Sequence, residues 1–167
     1  MKKFFVAVAL IALLAGLGFA QENTATDYMT VYALNVGVVA LKTMNLYFGQ
    51  FIAGGETIEA QTTVYVNVAK GTPFDLAANA GQNYANTWRQ IKPTKLNDLV
   101  RYGLYKTTGG EWGDNDHENT YPYGSSIKGT GSGATQAITI SGRLFAGDKM
   151  DSPLGWYYDV VTVTLYY

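Results

Sequence analysis

The chain has no cysteine and only one histidine, His117, among its 167 residues. The first absence removes a disulfide framework, a thiol nucleophile and a thiolate zinc site together. The second removes any cluster of imidazole ligands, and it leaves a Ser-His-Asp triad no base except one residue in a glycine-rich stretch. Charge is sparse as well: 12 Lys and Arg stand against 13 Asp and Glu. That slightly acidic balance argues against a nucleic-acid partner. No pair of carboxylates stands at a recognisable glycosidase spacing, and Gly129 to Gly133, GTGSG, has no Lys-Ser or Lys-Thr behind it to make a phosphate loop. The absences point away from an enzyme and imply no cofactor and no catalytic or metal residues.

Long apolar runs are rare too. The one present, Phe4 to Phe19, follows the basic start Lys2-Lys3 and ends in the small residues Gly18 and Ala20 before Gln21. That is the pattern of a secretory signal peptide, with cleavage expected after Ala20. The run is short for a spanning helix, Gly16 and Gly18 weaken it, and no basic stop-transfer cluster follows. The exported remainder is the length of one domain and can bury about two thirds of its unfolded surface. Without disulfides, its stability has to come from packing, a bound ion or neighbours.

What is abundant is glycine (19) and tyrosine (13), a composition suited to short strands joined by tight turns. Tyr28 to Val39, YMTVYALNVGVV, has the two-residue period of a strand, with Tyr28, Thr30, Tyr32, Leu34 and Val36 on one parity. No Asn-Gly or Asp-Gly turn ties it to the next strand-like run, so it is expected to pair with something distant, as a donor strand in a neighbouring copy.

Further strands are expected in Leu41 to Phe51, which carries Leu46 and Phe48 on one parity, and around Val64, Val66 and Val68. A turn at Lys70 to Pro73 leads into a short return at Phe74 to Leu76, and Leu99 to Tyr105 and Ala137 to Phe145 are strands. Trp88 to Asn97 is ambiguous, with Pro93 arguing against a helix. Lys106 to about Thr135 reads as a long loop on which Trp112 packs back. The closing run GWYYDVVTVTLYY reads as one strand with Val161, Val163 and Leu165 on one parity and no successor. Six or seven strands make an all-β, Ig-like β-sandwich, one strand short if residues 28–39 belong to a neighbour.

Two local patterns invite other chemistry. Asp114, Asp116 and Glu118 alternate as oxygen ligands do in a calcium loop, though the downstream bidentate glutamate is missing. Tyr157, Tyr158, Tyr166 and Tyr167 could stack on sugar rings, or simply lie on the two faces of one edge strand.

Five pieces in order carry a resemblance: LYFGQF from Leu46, VYVNVAKGTPF from Val64, LVRYGLYKTTGGEWGDN from Leu99, ISGRLFAGD from Ile140, and the closing GWYYDVVTVTLYY from Gly155. Over most of the exported part the chain resembles the spore coat protein U domain family, which includes major subunits of archaic chaperone-usher pili. The resemblance implies an incomplete Ig-like fold held by a periplasmic chaperone until an outer-membrane usher exchanges it for the next subunit's N-terminal strand. It implies a signal peptide at 1–20, a leader and donor strand at 21–38 and a pilin-like domain at 39–167. The donor side chains would be Tyr28, Thr30, Tyr32, Leu34 and Val36, the acceptor groove and edge Val161, Val163 and Leu165, and the partners identical subunits in a head-to-tail fibre at the cell surface, serving adhesion or biofilm formation. Family members usually carry a disulfide whose positions fall near Val39 and at Val68, both apolar in this chain. The alternative is a self-contained secreted domain binding carbohydrate through its tyrosines.

Overall fold

Val64, Val66 and Val68 are at most 2% exposed, whereas Tyr65 between them is 36% exposed. The alternation in VYVNV is thus a strand with one face on a core, and each such valine contributes about 1.5–3 kcal/mol by leaving water. The computed structural model describes residues 39–93 and 98–167 together with Met29. The chain divides between Asn35 and Val36, and the architecture below is that of Val36–Tyr167. The signal peptide, the leader and the five donor side chains lie outside the described residues.

The strands are β1 (Ala40–Thr43), β2 (Ile58–Asn67), β3 (Pro73–Ala78), β4 (Arg89–Pro93), β5 (Val100–Lys106), β6 (Ile127–Thr130), β7 (Thr135–Leu144), β8 (Tyr157–Tyr158) and β9 (Val163–Tyr166). Six form one sheet in the order β1-β2-β7-β5-β4-β8, and three form a second in the order β6-β3-β9. All these pairings are antiparallel. The spine is β2 against β7, paired without a break from Ile58↔Leu144 to Asn67↔Thr135. Its inner face presents Val64, Val66, Ile140 and Leu144, continued on β5 by Val100, Tyr102 and Leu104. Phe74, Leu76 and Ala78 of β3 face them from the second sheet. Trp112 joins the two layers: it is buried, and its indole N–H donates to the Leu76 carbonyl at 2.8 Å.

The architecture is the all-β, incomplete Ig-like sandwich expected from the sequence, with local corrections. Leu41 to Phe51 is not one strand. After β1 the chain leaves the edge at Met44 and Asn45, whose carbonyls accept from the Thr62 hydroxyl at 3.0 and 3.1 Å, and Leu46 and Phe48 fold over Gly142, where a Cβ would collide with them. The ambiguous stretch contains β4, and Pro93 sits at its last position, where a missing N–H costs least. The long loop holds β6, paired to β3.

The closing run is two strands in two sheets. Tyr157–Tyr158 pair with β4, whereas Val163–Tyr166 pair with β3. Asp159 forces the change of layer. Its carboxylate accepts from the Tyr102 hydroxyl at 2.6 Å and from the Asn83 N–H at 3.0 Å, so it faces inward where an unbroken strand would continue. Gly81 permits the approach, because a Cβ there would strike that carboxylate and its φ of +83° suits only glycine.

Candidate functional site: an apolar cleft between the sheets

Among the described residues, one side of the sandwich is open. A cleft of about 1330 Å³ runs between residues 43–53 on one wall and 150–163 on the other. Its floor is the inner face of the large sheet, including Val64, Ile91, Leu104, Ile140 and Leu144. The walls meet at two aromatic contacts, Phe51 edge-on to Tyr157 at 5.1 Å and Tyr47 tilted against Trp156 at 6.3 Å. Outside the floor, large apolar side chains stand exposed along the lips: Tyr47, Ile52, Met150, Leu154, Trp156 and Val160. A monomeric surface seldom carries so many together unless a protein or membrane covers them.

Among the residues expected to form the acceptor, Val161 and Val163 line this cleft and Leu165 packs half-buried against the core beside it. Val163 and Leu165 belong to β9, which pairs with β3 through Asp75↔Tyr166 to Ala78↔Val163. Among the described residues no strand pairs with its other edge. Sequence reasoning read residues 41–51 as a strand rather than as a wall of the cleft, and missed Asp159, for which the only signal is its place closing Gly155-x-Tyr157-x-Asp159.

Two buried polar side chains near the cleft, Tyr102 and Arg89, are satisfied. The Tyr102 phenol, pushed far up first by burial and then by the adjacent Asp159 carboxylate, donates to it and stays neutral. Arg89 is fully buried on β4. It donates to the carbonyls of Asn79, Trp112 and Ala78, with bonds of 2.6 to 3.0 Å, and its guanidinium lies 3.9 Å from the Tyr121 ring centre. Burial lowers its pKa, and the neighbouring tyrosines and carboxylates act in the opposite direction. Its role is to tie the end of β3 to β4 and to Trp112 in the cleft floor.

The acidic loop does not gather its oxygens as a calcium loop would. Asp114 is buried and accepts from the Tyr121 N–H and the Thr120 hydroxyl, both at 2.6 Å. Asp116 accepts from Ser126, and Glu118 from the Tyr166 hydroxyl at 3.1 Å. Three carboxylates turned to separate partners do not make one ligand sphere. Nor do the four tyrosines share one edge strand. Tyr157 and Tyr158 edge the large sheet, whereas Tyr166 lies flat against His117 on the small one.

An antiparallel two-layer sandwich with an apolar cleft beside an unpaired edge is an incomplete Ig-like domain. No curated protein matches the sequence. A chain in the crystal structure of the CsuC-CsuE chaperone-tip adhesion subunit pre-assembly complex, from archaic chaperone-usher Csu pili of Acinetobacter baumannii, is similar in fold, with a TM-score of 0.51 and 19% identity. The match covers 78% of this chain and 39% of that one. The spore coat protein U domain family matches residues 19–164, and the chain belongs to that family.

Proposed function

We propose that this chain is a structural subunit of a chaperone-usher pilus, non-enzymatic, exported through the periplasm and polymerised at the cell surface by donor-strand exchange in the service of adhesion or biofilm formation. The observation that carries the reading is the cleft, an apolar groove with exposed apolar lips beside an edge of β9 that no described strand pairs. Such an edge accepts an added strand: main-chain hydrogen bonds supply affinity, and alternate side chains enter the groove. The segment offered is the alternating one, with Tyr28, Thr30, Tyr32, Leu34 and Val36 inserted against Val161, Val163 and Leu165. At roughly 1.5–3 kcal/mol for each large apolar side chain, the gross gain is near 10 kcal/mol before ordering costs. A periplasmic chaperone holds the groove before assembly and an outer-membrane usher catalyses the exchange. Support for the chaperone comes from family membership and from the chaperone-subunit complex that contains a chain of similar fold.

Full-length protein and a variant lacking Gln21 to Val36 are expressed with the cognate chaperone and usher and imaged by electron microscopy. The expected result is fibres from the first only, with the second still captured by the chaperone. Leu34→Asp puts a charge into an apolar groove, at several kcal/mol, and is expected to stop fibre growth. Normal fibres from both variants would refute the donor assignment.

A further inference from the structure

A second polar site lies on the outer face of the small sheet. There Lys128, Asp75 and Tyr166 stand in a row across β6, β3 and β9. The loop after Asp114 brings two more side chains to that row. His117 Nε2 is 3.0 Å from Asp75 Oδ2, and its ring lies flat on Tyr166, with centroids 4.0 Å apart and planes 2° apart. Asp116 is held from behind by Ser126, whose N–H and hydroxyl donate to its two oxygens at 2.9 and 2.7 Å. One donor atom from each of Asp75, Asp116 and His117 lies within 4.8 Å of the other two.

We propose that Asp75, Asp116 and His117 form a zinc(II) site in which the metal replaces the ammonium of Lys128. A cation is already seated there: Lys128 Nζ lies 2.8 Å from Asp75 Oδ2 and 3.3 Å from Asp116 Oδ2. Its side chain is 69% exposed, so it can leave for solvent at little cost. Two of the ligands are oriented independently of it, Asp116 by Ser126 and the imidazole by the Tyr166 ring, and β3, the central strand of its sheet, places Asp75 beside them. Support of that kind around a ligand set is what holds ligands in a metal-ready geometry. The donor set selects the ion. One imidazole and two carboxylates, with a fourth position open to water, suit zinc, whose Zn–N and Zn–O bonds are about 2.0–2.2 Å, once the ligands rearrange around it. Calcium would want six to eight oxygens. Because the chain has no cysteine and one histidine, zinc can find no other imidazole or thiolate ligand in it.

Bound metal would staple the loop carrying Asp116 and His117 to β3 and, through the stacked Tyr166, brace β9. The site stands apart from the cleft, so the polymerisation reading neither supports nor limits it.

The test is zinc chloride titrated into untagged full-length protein, followed by calorimetry and by the imidazole resonances of the sole histidine. The expected result is saturable one-to-one binding that shifts those resonances. His117→Gln should weaken it at least about tenfold, the scale on which metal-site changes act. Lys128→Ala, which removes the competing ammonium and leaves all three ligands, should tighten it. The proposal is overturned if neither the wild type nor Lys128→Ala binds zinc saturably, or if His117→Gln binds as well as the wild type.

Discussion

Arg89 shows how one side chain can hold a layer in place. Its hydrogen bonds go to the carbonyls of Ala78, Asn79 and Trp112, and Tyr121 covers one face of its guanidinium. Arg89→Met would keep much of the volume and leave those acceptors without donors in a dry interior, at about 1–3 kcal/mol each. Urea unfolding should show a loss of about 3 kcal/mol or more, and Arg89→Lys should recover little of it, because an ammonium cannot reproduce the planar fork. A loss under 1 kcal/mol would mean that the carbonyls find water instead. Nothing in TWRQIKP marks this arginine as buried, since its partners are backbone atoms distant in sequence.

Asp98 gives a pH dependence at the same scale. Burial alone would raise its pKa, but the Lys149 ammonium at 2.8 Å and the Tyr157 hydroxyl at 3.0 Å outweigh that and hold it below the ordinary carboxylate value. A group whose folded pKa is depressed contributes stability above its unfolded pKa and loses it as pH falls through the folded value. Asp98→Asn should therefore be less stable than the wild type at pH 7, with the difference shrinking in acid. Unfolding curves taken stepwise from pH 7 to below the ordinary carboxylate range check it, and a gap that stays constant would contradict it.

At the scale of elements, β1 and β2 offer a sharper measurement. Ala40 stands opposite Asn67, and extending that register by one residue puts Val39 opposite Val68. These are the two positions where the family resemblance places a disulfide. Val68 is fully buried, so here packing occupies the place of the bridge. Val39→Cys with Val68→Cys should oxidise spontaneously and raise stability by about 2–4 kcal/mol over its reduced form. Thiols that stay free under oxidising conditions would show that the register slips at this end.

The elements differed in legibility for physical reasons. β2 and β7 alternate cleanly because one face is buried and the other is wet. β8 and β9 run together in sequence because tyrosine and valine suit a strand in either sheet, and only the Asp159 contacts with Tyr102 and Asn83, residues far away in the chain, place the break. In the wall of residues 43–53 the parity of Leu46 and Phe48 suggests a strand, but beyond Met44 its form follows from covering Gly142 rather than from pairing.

For the whole molecule, fold class and family were both legible, because short alternating strands and five ordered motifs agree even though the family's usual disulfide is missing. The cleft was not visible as an object. Its floor comes from four strands and its walls from two mostly irregular segments, one of which carries β8, so no local pattern announces it. What the chain did offer was an alternating segment with no turn signal tying it to the next run, and the proposed place for it is the apolar cleft beside an edge of β9 that no described strand pairs.

The most direct test of that placement uses the absence of native cysteine. A full-length chain carrying Leu34→Cys and Val163→Cys is assembled, oxidised and run on a denaturing gel. Strand donation between copies predicts a ladder of covalently linked subunits that collapses on reduction. A single internally bridged species with no ladder would contradict it, because the leading segment would then fill its own cleft.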